Sequence, residues 1–231
     1  MMIRSLVSVV LASVALAGCG ASTPPPKEPE PEAAAPSRPV NSGIKVASEL
    51  GTIDPNATKS AFRALFPKFM ACQKERLDEI EVLSGNVNFF LRVGSDGAAK
   101  WVYFLESDVG DCETEKCLLG VVRSASWPKP DGGDAEVQFA MELPQHSARE
   151  ATSWSVDKIA SLAASAEKCK AGSSATYTVT VYVGEGGKVI GVGVAAPEKD
   201  ADEKIDCVVK MVKKLKPPSP GNWTAKVSFK L

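Results

Sequence analysis

The chain has 231 residues, with 27 Lys and Arg against 28 Asp and Glu, a formal net charge of −1. So even a balance gives no electrostatic case for nucleic acid or an anionic membrane surface as partner. There is one histidine, His146, and there is no zinc-type His pair, no CxxC and no nucleophile elbow, so no catalytic residue, metal or cofactor is expected.

The first segment, "MMIRSLVSVVLASVALAGCG", sets Arg4 ahead of a small and apolar run from Leu6 to Ala17. That run is too short to span a bilayer and fits the core of a secretory signal. Its end, Leu16-Ala17-Gly18-Cys19, resembles the bacterial lipobox, in which the signal is cut before a cysteine that is then lipidated. The resemblance implies a signal peptide over residues 1–18 and a triacylated Cys19. Each buried methylene contributes roughly 0.8 kcal/mol, so several acyl chains make a stable anchor. Gly20 follows the cysteine instead of Asp, which by analogy favours the outer membrane, on its periplasmic face or exposed at the surface.

Residues 19–50 carry the lipidated cysteine and a proline-rich stretch, with seven prolines between Thr23 and Val40. Such a segment has too little apolar bulk to offset its ordering entropy and leans to extended polyproline II. It is expected to act as a disordered tether reaching roughly 50 Å.

The rest of the chain matches itself at a constant offset of 90. Gly94 meets Gly184, Gly97 meets Gly187, Cys117 meets Cys207, Pro128 meets Pro218, and Phe139 meets Phe229. Upstream, Cys72 and Cys169 match at an offset of 97, so the first copy has seven extra residues, assigned to the loop around "DEIEVLSG". "TKSAFRALFPKFMACQKERL" has helical spacing, with Pro67 a kink or interruption. "VNFFLRV" alternates as a half-buried strand, "GSDG" turns the chain into "AKWVYFL", the Cys117 helix follows, and "AEVQFAMEL" is the last strand. The second copy repeats this order, with "SVDKIASLAASAEKC" as its first helix. The expected fold class is α+β: two tandem α-β-β-α-β modules, at 51–146 and 147–231, each a small three-stranded antiparallel sheet packed by two helices.

An exported protein sits in an oxidising compartment, and a small core gains from a staple. Equivalence within the repeat pairs Cys72 with Cys117 and Cys169 with Cys207, each bridge contributing up to roughly 4 kcal/mol. Breaking Cys169–Cys207 is expected to destabilise residues 156–231 and largely spare the first module. Cys112 has Asp202 as its counterpart and is a candidate free thiol near a helix start, where thiolates are favoured; a Cys72–Cys112 or Cys112–Cys117 bridge stays open. The acidic clusters "ESDVGDCETE" and "PEKDADEK" suit the starts of the helices behind them. "GEGGK" is a hairpin turn. The tryptophans fit core or edge packing.

These residues resemble a known family. A helix ending in Cys, then Leu83, Gly85, Val87, Gly97, Cys117, Trp127, Pro128, Pro130, Gly132, Gly133 and Val137, look like the C-terminal domain of the AgmX/PglI family. The second copy matches less well, lacking the Leu-Gly before its strand and the Trp of "WP". The resemblance implies a fold like the C-terminal domain of TonB and an envelope protein of a family linked to gliding motility. It implies protein partners, and with no energising membrane helix the chain would receive or scaffold force. The expected function is therefore a non-enzymatic interaction module that pairs with other envelope proteins at an exposed sheet edge. A stand-alone ligand or peptidoglycan binder is the alternative, and a thiol redox protein built on Cys112 a third. The fuller pattern in the first copy makes Trp127 the candidate partner-binding residue.

Overall fold

The computed structural model describes residues 50–159 and 164–231; the signal, Cys19 and the proline-rich stretch lie outside them. Asp54 starts the first helix, α1 (Pro55–Ala64). Its carboxylate accepts from the N–H groups of Asn56 at 2.8 Å and Ala57 at 3.2 Å, and Pro55 occupies the first helical position. The helix stops at Leu65 and a second, α2 (Phe66–Lys74), begins at once. Pro67 is the cause, since it has no N–H to offer the Arg63 carbonyl. Strands β1 (Gly85–Val93) and β2 (Ala99–Ser107) follow, then α3 (Cys112–Arg123) and β3 (Ala135–Leu143). They make an antiparallel sheet in the order β2-β1-β3. Period-2 alternation puts Val87, Phe89, Leu91 and Val93 inward, against Phe62, Phe69, Leu118 and Val122.

The second half opens with a short strand, β4 (Thr152–Ser153), followed by β5 (Thr178–Val183), β6 (Val189–Ala195), α4 (Asp202–Lys213) and β7 (Ala225–Lys230). Its sheet runs β4-β7-β5-β6, antiparallel except for the β4–β7 pair. The fold is thus mixed α+β with antiparallel pairing throughout the main strands. Where the sequence suggests a helix ending at Cys169, residues 164–166 are α-helical and 3-10 turns occupy Val156–Ile159 and Glu167–Lys170; residues 160–163 lie outside the description. "GEGG" is a hairpin turn, with Gly186 and Gly187 at φ 72° and 79°.

Two disulfides form. Cys72–Cys117 joins α2 to α3, and Cys169–Cys207 joins a 3-10 turn to α4. Cys112 is free, so neither bridge left open for it exists here.

The two halves pack together around the residues that break the repeat. Ile80, Val82 and Leu83, in the extra stretch of the first half, are fully or almost fully buried. Tyr182, from β5, sits in the first half's core, and its hydroxyl accepts from the Ser84 N–H at 3.3 Å and donates to the Ser84 carbonyl at 3.1 Å. Close approach at β6 depends on glycine: a Cβ at Gly191 would lie 2.7 Å from Ile80 Cδ1 and 2.9 Å from the Gly110 carbonyl. At Gly193 a Cβ would run into the Glu115 carboxylate.

That carboxylate corrects the sequence reading of its acidic cluster. Asp111 does serve the start of α3, accepting from the Thr114 N–H at 3.0 Å while pairing with Arg76 at 3.1 Å. Glu115, however, is a buried clasp between the halves. It accepts from the Ser107 hydroxyl and from the Val194 N–H, both at 2.7 Å. Burial pushes its carboxyl up to about 7, against the hydrogen bonds from Ser107, Val194 and Gly110.

Candidate peptide-binding groove

A sheet edge offers a row of backbone donors and acceptors, so what covers each edge decides where a strand could add. Beside β6 stand Gly110 and the Glu115 carboxylate, which takes the Val194 N–H. The start of β7 is capped by β4: Thr152 N–H donates to the Thr224 carbonyl at 2.9 Å and Trp154 N–H to Lys226 at 3.1 Å. β3 is capped only ahead of its start, where Gly51 N–H donates to Asp134 at 2.6 Å and Thr52 pairs with Asp131. From Glu136 to Glu142 its outer edge pairs with no strand among the described residues.

Along this free stretch lies a groove of ≈ 550 Å³ between β3 and α1. Its apolar lining includes Ile53, Phe62, Phe66, Val137 and Phe139. Phe62, near the end of α1, and Phe66, the first residue of α2, meet edge-on with ring centroids 6.1 Å apart, and Val137 and Phe139 are two apart on β3, so they share a face. The Phe62 and Phe139 rings stack at 4.2 Å, only 3° from parallel, and fix the floor. Phe66, 39% exposed, forms the rim. Lys59 and Arg63 also line the groove, and neither has an ion-pair partner among the described residues.

Trp127 does not line it. The side chain is buried, donates its Nε1–H to the Val122 carbonyl at 3.2 Å, and stacks on Phe139 at 5.6 Å. This corrects its place from contact residue to support beneath the floor: the proline-stopped end of α3 turns the indole into the core. Cys112 is a free thiol, as the sequence suggests, but a buried one. Burial pushes its thiol up to about 11, which the charge of Lys116 offsets only in part, so the helix start yields little thiolate. Cys72, Cys117, Cys169 and Cys207 are all taken up in the two bridges, and Cys19 lies outside the described residues. His146 has a ring nitrogen 3.2 Å from Gln73 Oε1, tying the connector between the halves to α2. Comparison with protein-family models, curated proteins and solved structures finds no match for this chain.

The groove residues were individually visible in the sequence as apolar helix and strand positions. Their meeting was not, because it needs β3 at the sheet edge and α1 laid beside it. No described helix is long and apolar enough to cross a membrane, and among the described residues no group of three or more metal-ligating side chains converges.

Proposed function

We propose that this chain is a non-enzymatic outer-membrane lipoprotein, anchored through Cys19, that binds other envelope proteins by strand addition. In this reading its globular part is two copies of a unit like the C-terminal domain of TonB, the second degenerate, and the proline-rich stretch is the tether. The observation that carries it is the free β3 edge from Glu136 to Glu142 beside an apolar groove. An added strand would complete the backbone pairing that β3 leaves open and bury alternate side chains against α1. A role in gliding motility follows only from the family resemblance.

Two experiments test the reading. A photo-crosslinking residue at Gln138, on the free edge, should capture partner protein in cells, whereas one at Ser95, on an exposed hairpin tip, should not. Equal capture from both positions, or none from Gln138, overturns strand addition at β3. Cys19→Ser should release the protein from membranes, and unchanged fractionation would refute the lipid anchor.

A further inference from the structure

We infer that the strand taken by this groove is acidic as well as apolar; the inference rests on strand addition at β3. The apolar part follows from the lining. A strand beside β3 turns every second side chain, roughly 7 Å apart, toward the groove wall made by Ile53 ahead of α1, Phe62 on α1 and Phe66 at the start of α2. Two successive inward residues of Val or Ile size would meet them.

The charge follows from the ion pairs. Arg76 pairs with Asp111, Glu79 and Glu113, Arg92 with Asp134 and Glu136, and Lys100 with Asp134. Lys59 and Arg63, four apart and therefore on one face of α1, line the groove without such partners among the described residues. Both side chains are exposed to solvent. A strand laid against the phenylalanines excludes part of that solvent, lowers the local dielectric and strengthens any charge pair across the rim. A carboxylate at the inward position flanking the apolar pair then binds, and a lysine there is repelled. The chain's own acidic stretch, Glu28 to Glu32, is a poor occupant, because its prolines cannot donate to a ladder. The occupant is therefore a segment of another protein, apolar at alternate positions and carboxylate-flanked.

The test uses the full chain and three short synthetic peptides that share two inward valines and differ only at the flanking inward position, Glu, Gln or Lys. The Glu peptide should bind about three- to fivefold tighter than the Gln peptide, and the Lys peptide weakest of all. Lys59→Glu with Arg63→Glu, both at exposed positions, should reverse the order of the Glu and Lys peptides. Lys59→Gln with Arg63→Gln should make the three equal without loss of fold. Equal binding of all three to the wild type, with slowed hydrogen exchange at 136–142, overturns the charge inference and leaves strand addition standing. Tightest binding by the Lys peptide also overturns it. Binding by none, with exchange at 136–142 unchanged, removes strand addition and this inference with it.

Discussion

The two halves share an order of strands, helix and strand, and a disulfide at matching places, yet they are held in different ways. The first has an aromatic ladder, Trp127 on Phe139 on Phe62, continuing through Phe69 and Phe89 to Phe104. The second replaces it with valines: Val179, Val181, Val183, Val192, Val208 and Val212 are all fully buried. The first keeps its last strand's edge open, and the second caps the start of its own with β4. What distinguishes them most is dependence. The first half takes Tyr182 into its core, while its own extra residues, Ile80 to Ser84, form the seat. A repeat that looks symmetric in sequence is therefore asymmetric in packing, and the residues outside the repeat supply the joint.

The largest effect expected is at that joint. Tyr182→Ala should cost roughly 4–5 kcal/mol, the cavity left by a large buried ring plus its hydrogen bonds. Because the ring fills the first half from the second, exchange protection in both halves should fall together. Loss confined to residues 147–231 would mean that the halves are energetically separate. Nearly as large is the removal of a staple. The bridges close 45 and 38 residues, so replacing either pair by serine should cost up to about 4 kcal/mol. Sequence alone suggests that losing Cys169–Cys207 spares the first half. The shared core predicts instead one unfolding transition in urea, shifted for both halves, and two resolved transitions would restore independent modules.

Much of each half was legible because it is local. Alternation in "VNFFLRV" and the cysteine equivalence gave the strands and both bridges. The joint was not legible, for a physical reason. β5 reads Thr-Val-Thr-Val-Tyr-Val, an alternation that sets Tyr182 on the polar face with Thr178 and Thr180. Yet Val179 through Val183 are buried on both faces, and nothing in the pattern says that this second face is covered by the other half. Glu115 aligns with Ile205 at the repeat offset of 90. A charge opposite an aliphatic residue was the available signal for a buried site, hidden by two other acids at the same helix start. The groove needed knowledge of which strand is outermost, and spacing does not supply it.

Glu115 gives a pH test of the joint. With its folded value raised to about 7 from 4.5, the folded protein holds this proton more tightly than the unfolded chain does. Its contribution therefore favours folding most below about pH 4.5, shrinks as pH rises through 7, and differs by about 3 kcal/mol between the two ends. Glu198 in the second half works in the opposite direction. Hydrogen bonds from Tyr177, Lys204 and Ser173 hold it down at about 2, so its contribution is present above 4.5 and is lost as pH falls toward 2. The two windows do not overlap. Glu115→Gln should flatten the stability profile between pH 4.5 and 8 and leave the fall at lower pH in place. A slope there unchanged from wild type would mean that the clasp is not buried in solution.

The smallest effect separates support from contact. Trp127→Phe keeps a ring beneath Phe139 and loses the Nε1–H bond to the Val122 carbonyl, at a cost of about 1 kcal/mol. Phe139 stands between the indole and the groove, so binding of the Glu-flanked peptide should change less than twofold. The second half has Pro217 at this position in the repeat and no such stack, and the valine core there needs none. If Trp127→Phe abolished peptide binding while stability stayed within about 0.5 kcal/mol of wild type, the indole would be touching the partner. The groove would then have to open far enough to expose it, and the aromatic ladder of the first half would be part of the binding surface and not only its foundation.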